Sequence, residues 1–255
     1  MKSLFMKTTA LAFSAIVYSH AIFGIGGQWA PAPSLEVKAS EGGTIASAGG
    51  KSVTLSQSKI SGLQGLGIKL WVDAIPFIDI EASSNIQMGY YDVNIVAPKI
   101  TGTGNDTLAL KYDLGVPGVQ GKPAFARIVS DVTVLYPFLK LPPLVSIVKV
   151  YAGAGISHVL ATQVLDSNFA QQALKDAKLE SSTSTTDISS ALTKAIVDKG
   201  LKSGIGFHLE LGAKAKIPVI PIAIYADAKY HFLSSMPKSA DANAITYELG
   251  AALAF

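Results

Sequence analysis

The sequence contains no cysteine among its 255 residues. This absence excludes a disulfide framework, a thiolate metal site, a cysteine nucleophile and a lipid-modified N-terminal cysteine. Charged residues are also scarce, at 15% of the chain, where an ordinary soluble domain carries about 25%. The formal net charge is only +3, so the chain lacks the strong basic balance of a charge-driven nucleic-acid binder. We therefore expect no nucleic-acid partner.

Long hydrophobic runs are absent beyond the N-terminal segment. The richest stretch, residues 132–150, is interrupted by Lys140 and by prolines at 137, 142 and 143, whereas a transmembrane helix needs about 20 predominantly apolar residues. Hydrophobic residues nevertheless make up 49% of the chain, and the mean hydropathy is +0.37. This hydrophobicity must therefore be distributed in some way other than membrane-spanning helices.

The first 21 residues have the features of a secretory signal peptide. Two lysines precede an apolar stretch over residues 8–18, and Ser19 and Ala21 place small side chains where a signal peptidase reads the chain. An uncleaved membrane anchor is the alternative. We expect residues 1–21 to be removed on export and residues 22–255 to form the mature domain.

The rest of the chain alternates apolar and polar residues with period two, which is the pattern of β-strands with one apolar face. Most of the segments run for about 10 to 14 residues, the length of a strand that crosses a bilayer at a tilt. Eight strands are predicted, over residues 23–29, 66–73, 78–90, 127–136, 148–157, 205–216, 220–232 and 245–255.

Charged residues in these segments occupy the face opposite the apolar residues. In a membrane barrel this separation is required, because a Lys or Arg that faces lipid near the midplane costs about 2 to 4 kcal/mol. The charged set therefore predicts a polar interior, and it comprises Lys69, Asp73, Asp79, Glu81, Arg127, Asp131, Lys149, Glu210, Lys214, Lys216, Asp227, Lys229 and Glu248.

The connections alternate as well. Short turns with proline join strands two and three, four and five, and six and seven, whereas longer segments join the others. Outer-membrane barrels have short periplasmic turns and long external loops. The sequence therefore predicts an all-β fold, an eight-stranded antiparallel transmembrane β-barrel with long external loops, located in the cell outer membrane.

The pattern resembles the small eight-stranded outer-membrane β-barrels of the OmpA and OmpW type. The last strand is similar to that family's C-terminal insertion signal, with alternate apolar residues and an aromatic end at Tyr247, Leu249, Leu253 and Phe255. The resemblance implies that the barrel-assembly machinery reads this segment and that outer-membrane lipid surrounds the barrel. The hairpin formed by residues 129–136 and 151–155 is also similar to a central hairpin of such proteins. Because the chain stops at the eighth strand, we expect no cell-wall-binding domain.

The loop over residues 160–203 contains helical spacing. Two short amphipathic helices are predicted, with Thr186 or Asp187 as the N-cap of the second and Gly200 as its end. They would cover the barrel mouth, rest on the outer leaflet or bind a partner. Their apolar positions are Phe169, Ala173, Leu174 and Ala177, followed by Ile188, Leu192, Ala195 and Ile196.

Two other loop segments have distinct patterns. The glycine-rich residues 41–50 lack the lysine and the flanking helix of a phosphate-binding loop, so they are interpreted as a flexible loop. Residues 107–116 alternate at Leu108, Leu110, Tyr112 and Leu114. This second segment either prolongs strands three and four above the membrane or forms an extra strand.

A lumen charge cluster is predicted from His208, Glu210, Asp227, Lys229 and Glu248. Pairing about a turn at residue 218 would place His208 near Lys229 and Glu210 near Asp227, with Glu248 within reach of Lys229. The inward charged set is nearly balanced, and an eight-stranded barrel is just wide enough for side chains to fill it. A plugged lumen is therefore favoured over an open path for small solutes.

No catalytic, cofactor-binding or metal-ligand pattern is found, and alternation sends Ser157 and His158 to opposite faces. We therefore expect a non-enzymatic protein without a cofactor. The predicted role is structural, surface interaction or small-solute permeation, with an extracellular partner or a small solute as the ligand. The alternatives are a secreted or periplasmic lipocalin-like barrel that binds an apolar ligand, and a lipid-modifying outer-membrane enzyme that uses His208. The oligomeric state is left open.

Overall fold

The computed structural model describes residues 23–48, 50–75, 77–98, 104–109, 124–141, 147–217, 220–234, 236–237 and 239–255. The predicted signal peptide, residues 1–21, lies outside these ranges, and its cleavage stays a prediction. Among the described residues, neither helix is long and apolar enough to cross a membrane.

Thirteen strands and two helices are formed by the described residues. In chain order they are β1 (Phe23–Trp29), β2 (Ala32–Val37), β3 (Ser40–Ala48), β4 (Lys51–Gln57), β5 (Ile60–Ile75), β6 (Ile78–Tyr90), β7 (Val93–Pro98), β8 (Asn105–Ala109), β9 (Ala124–Leu141), β10 (Val148–Thr162), α1 (Ser167–Asp176), α2 (Thr185–Asp198), β11 (Leu201–Lys216), β12 (Ile222–Leu233) and β13 (Asn243–Ala254).

Eight of the strands form a closed antiparallel ring in the order β1, β5, β6, β9, β10, β11, β12 and β13. The ring closes where β13 pairs with β1, from Gly24 opposite Ala254 to Trp29 opposite Leu249. Closure leaves the ring without an unpaired edge, which is a requirement for a sheet that crosses lipid. These are the eight strands that the sequence predicts, so the barrel is confirmed.

Burial alternates along the ring as the sequence pattern predicts. On β11, Leu209 and Leu211 point outward and are 52% and 57% exposed, whereas the intervening His208 and Glu210 are at most 3% exposed. An apolar outer wall around a polar interior is the architecture of an outer-membrane β-barrel, which is the fold and the location that the sequence predicts. The alternative prediction of a lipocalin-like barrel is wrong, because such a barrel would carry its charged residues on the outside.

Aromatic side chains lie on the outer wall near both ends of the barrel. Tyr136 and Phe255 lie toward the end with the short turns, and Trp29, Phe207 and Tyr247 lie toward the other end; all are well exposed. Outer-membrane barrels carry such aromatic girdles at the two membrane interfaces. The two girdles therefore mark the limits of the lipid-facing band.

The long connections fold into a second body, which we call the dome and define as β2, β3, β4, β7, β8, α1 and α2. Strands β3, β4, β7 and β8 form one antiparallel sheet, and β2 pairs with the first residues of β5. The helices pack on this body through fully buried apolar side chains, so a position on the outer leaflet is excluded. The buried helical residues include Ala170, Leu174, Ile188 and Leu192.

The core of the dome continues into the barrel mouth. Inward-facing Phe125, Val129, Val159 and Leu233 of the barrel strands belong to the same buried apolar cluster as Leu192 of α2. The interior of the molecule thus changes from charged in the barrel to apolar at the mouth. The dome therefore closes one end of the lumen.

Three predictions about the loops need correction. The glycine-rich residues are not a flexible loop, because β3 and β4 form a hairpin whose Ile45 and Val53 are buried in the dome. Gly43 is required there, since a Cβ atom on it would lie 2.4 Å from Ser167 Cβ.

The second helix is capped by Ser184, whose hydroxyl accepts a hydrogen bond from the Asp187 N–H, and not by Thr186 or Asp187.

The segment with the second alternating pattern also belongs to the dome. Leu108 lies in β8 and is paired with Ile95 of β7. Strand β8 therefore belongs to the dome sheet and is not a ninth spanning strand, whereas residues 110–116 lie outside the described residues.

Candidate functional site in the barrel lumen

Side chains alternate inward and outward along each strand, and the charged ones occupy the inward positions in the lumen. The register between neighbouring strands decides which of them meet. Glu210 is paired with Lys229, and His208 is paired with His231. The predicted register, with His208 near Lys229 and Glu210 near Asp227, is wrong by two residues. The reason is the turn: Lys216 pairs with Ala223, so the hairpin is centred after residue 219 and not at residue 218.

Glycine makes room for these side chains where the lumen is most crowded. A Cβ atom on Gly212 would lie 1.8 Å from Asp227 Oδ1 and 2.6 Å from Tyr151 Cε2. The Tyr151 hydroxyl donates a hydrogen bond of 2.5 Å to the same carboxylate oxygen. The absence of a side chain at Gly212 therefore allows Asp227 and Tyr151 to meet.

The middle of the lumen is organised by two buried ammonium groups. Lys69 Nζ lies 2.5 Å from Asp227 Oδ2, 2.8 Å from Glu81 Oε1 and 2.8 Å from Glu248 Oε2. Lys229 Nζ lies 3.1 Å from Glu81 Oε1, 3.3 Å from Glu248 Oε1 and 3.6 Å from Glu210 Oε2. Glu81 and Glu248 thus bridge the two lysines, and Glu248 is within reach of Lys229.

A second charged layer lies nearer the short turns. Lys149 Nζ is 3.1 Å from one carboxylate oxygen of Asp73 and 3.1 Å from one of Asp79. Lys214 and Lys216 also contact Asp73, at 3.2 and 3.1 Å. These contacts close the lumen below the two central lysines.

A third layer lies toward the dome and contains the histidines. His208 Nε2 is 2.8 Å from Thr133 Oγ1, and His208 Nδ1 is 2.9 Å from Ser157 Oγ. His231 Nε2 is 3.1 Å from Asp131 Oδ2. Sequence reasoning missed this group, because its members come from β9, β10, β11 and β12 and no short spacing joins them.

The arrangement around His208 does not suit lipid chemistry. His208 is fully buried in the lumen, so a membrane lipid cannot reach it. Ser203 contacts His158 on the outer wall at 2.9 Å and not His208. Within the described part of the chain, the predicted enzyme alternative therefore has no accessible nucleophile and base around His208.

The residues of the predicted assembly signal lie on β13 and at its end, beside the seam with β1. Tyr247, Leu249, Leu253 and Phe255 are 44 to 63% exposed on the outer wall. A cavity of about 550 Å³ opens on the same wall, lined by Trp29, Leu211, Ala228, Tyr247 and Leu249 among others. Most of its lining residues face the outer wall, although the inward-facing Asp227 also lines it.

Replacing Lys229 by Met tests the charge network. Removal of one partner of a buried ion pair typically costs about 3 to 5 kcal/mol, because the opposite charges remain buried without compensation. We expect Lys229→Met to lower the free energy of unfolding by about this amount in denaturant titrations of the barrel in lipid vesicles. The matched control is Lys59→Met, which removes an exposed pair with Glu36 and should cost about 0 to 1 kcal/mol. Equal losses in both variants would contradict a network of buried ion pairs.

Comparison with known proteins gives matches by structure alone. No protein-family profile matches the sequence, and no curated protein matches it either. Among solved structures, the outer membrane protein OprG from Pseudomonas aeruginosa is 12% identical, with a TM-score of 0.49 over 91% of this chain and 95% of OprG.

Two other outer-membrane proteins are similar at the same level. Neisserial surface protein A (NspA) is 13% identical with a TM-score of 0.43, over 91% of this chain and 97% of NspA. Ail, the attachment invasion locus protein of Yersinia pestis, solved with the heparin analogue sucrose octasulfate, is 12% identical with a TM-score of 0.43 over the same shares. The similarity is to small outer-membrane barrels, the class that the sequence resembles.

Proposed function

We propose that this protein is a plugged outer-membrane barrel that holds the dome at the cell surface as a structural or surface-interaction module. The observation that carries the proposal is the filling of the lumen. The ammonium groups of Lys69 and Lys229 are at most 1% exposed, and each contacts several carboxylates. An ion or solute that entered the barrel would have to break these contacts.

Orientation follows from the lengths of the connections. Phe23, the first described residue, and the last residue, Phe255, lie together at the barrel end that carries the short turns, where each donates a backbone hydrogen bond to the other. The dome lies at the opposite end. Because outer-membrane barrels keep short turns in the periplasm, the dome faces the outside of the cell.

In this proposal, the outer wall contacts two partners, outer-membrane lipid and the barrel-assembly machinery. Outer-membrane lipid covers the apolar band between the aromatic girdles. Tyr247, Leu249, Leu253 and Phe255 form an exposed apolar row on the strand that closes the ring, which gives the barrel-assembly machinery an accessible apolar strand to bind before closure.

The surface of the dome is polar and carries charges of both signs. Exposed pairs join Lys59 to Glu36 and Lys199 to Asp176. The hydrogen bonds from Lys199 and then from Gln172 hold the pKa of Asp176 below its usual value. A mixed, well-hydrated surface on a packed body suits contacts with an extracellular partner, whereas no described opening favours small-solute permeation.

Planar-bilayer recording tests the closed lumen. We expect the purified, folded protein to give no stepwise ion current at a membrane potential of about 100 mV, the scale on which one charge gains about 2.3 kcal/mol. A wide porin barrel, which encloses an aqueous channel, serves as the positive control. Stable unitary currents from the folded barrel would contradict the plugged lumen and favour solute permeation.

Surface labelling tests the orientation of the dome. The chain has no cysteine, so a single introduced thiol is a unique label site. Lys175 on α1 and Phe77 in a short turn are both exposed, at opposite ends of the molecule. On intact cells, a membrane-impermeant maleimide should label Lys175→Cys but not Phe77→Cys, and both should react after the outer membrane is permeabilised. The reverse pattern would show that the dome faces the periplasm.

A further inference from the structure

The geometry points to a divalent transition-metal site of the zinc class in the upper lumen, formed by Asp131, His208 and His231. These residues come from β9, β11 and β12, and all three side chains face inward. Their candidate ligand atoms all lie within 4.8 Å of one another. Two imidazoles and a carboxylate are a ligand set that zinc and related ions accept.

The distances suit a tetrahedral ion. Asp131 Oδ2 lies 3.1 Å from His231 Nε2, and Asp131 Oδ1 lies 3.6 Å from His208 Nδ1. Zinc bonds of about 2.0 to 2.1 Å at tetrahedral angles separate two ligand atoms by about 3.3 Å. The two carboxylate–imidazole distances lie on either side of this value, and all the candidate ligand atoms lie within 4.8 Å of one another. An ion between the three side chains would therefore draw them together by at most about 1.5 Å.

The hydrogen bond between His208 Nε2 and Thr133 leaves His208 Nδ1 as the ring nitrogen that can bind the ion. When Nε2–H donates to Thr133 Oγ1 at 2.8 Å, Nδ1 carries the lone pair on the side of Asp131. Metal-bound histidines are oriented in this way by a hydrogen bond from the other ring nitrogen. The Ser157 hydroxyl, which is 2.9 Å from Nδ1, would turn away or provide the fourth ligand.

An unpartnered oxygen points to a ligand as well. Asp131 is 1% exposed, yet its Oδ1 accepts no hydrogen bond from any described residue. A buried carboxylate oxygen without a partner is costly. Binding a cation at Oδ1 would remove this cost.

The nearby cation does not occupy the site. Lys229 Nζ is 3.6 Å from Asp131 Oδ2, but it also contacts Ser83 Oγ at 2.7 Å and two glutamates at 3.1 and 3.3 Å. Lys229 therefore keeps its other partners when Asp131 binds an ion. With neutral histidines, the inward charged set has seven carboxylates and six cations, as in the residues named from the sequence. This negative excess lowers the electrostatic cost of adding a cation.

The closed lumen sets when the ion would enter. The dome core covers the site on one side, and the two central lysines with their carboxylates cover it on the other. The ion would therefore be taken up while the barrel folds and then be exchanged slowly. Its role would be to hold β9 to the neighbouring pair β11 and β12 beneath the dome.

Refolding with metal tests the site. The full chain is refolded into detergent micelles with Zn²⁺, excess metal is removed with a chelator, and bound zinc is measured by mass spectrometry. Heat-modifiable gel migration identifies folded protein. We expect about one retained zinc ion per folded chain, as for a single closed site. His231→Asn and His208→Asn should lose it, while His158→Asn, which changes an exposed histidine on the outer wall, should retain it.

A second readout uses the wild-type chain alone, so it does not depend on the folding of variants. Refolding with Co²⁺ should give the strong visible absorption of four-coordinate cobalt, because geometry is diagnostic of such a ligand set.

A variant tests the hydrogen bond that orients His208. Thr133→Val should weaken metal binding by about 10- to 100-fold through loss of this hydrogen bond. Folded wild-type protein with no chelator-resistant zinc or four-coordinate cobalt would overturn the site. Equal retention in folded His231→Asn would overturn it as well.

Discussion

The structure depends on the separation of charge from lipid across a single layer of β-sheet. Every strand of the ring has one face toward the bilayer and one toward the lumen, so each ionised side chain must occupy an inward position. The lumen is narrow, and an inward charge is costly to bury unless an opposite charge or hydrogen bonds compensate for it. The clusters around Lys69, Lys229 and Asp73 satisfy both constraints at once.

These ion pairs also explain why the lumen of the barrel is filled. Large side chains from several strands meet at the centre, and small residues such as Gly212 provide the space for them. Above this polar layer, the dome adds an apolar core that includes both Leu192 of α2 and Phe125 of the barrel wall. The lumen and the dome are thus two parts of one packed interior, and this packing supports the proposed surface-presenting role.

The sequence predicts the eight strands well, because the requirement for lipid-facing apolar residues leaves a strong period-two signal. It does not predict which inward residues meet. The contact between Asp131 and His231 joins strands that are not neighbours in the ring, and the pairing of Glu210 with Lys229 depends on where a turn is centred. The dome is missed for a related reason. Its β3–β4 hairpin is stabilised by helices far away in the chain, so its own glycine-rich segment is interpreted as a loop.

Tryptophan quenching by brominated lipids tests the separation of the two faces most directly. The chain has two tryptophans: Trp29 is 46% exposed on the outer wall, and Trp71 is 1% exposed in the lumen. Folded Trp71→Phe, which retains Trp29, should lose fluorescence in vesicles with brominated acyl chains, whereas folded Trp29→Phe should not. Strong quenching of Trp71 with no effect on Trp29 would contradict the assignment of the faces.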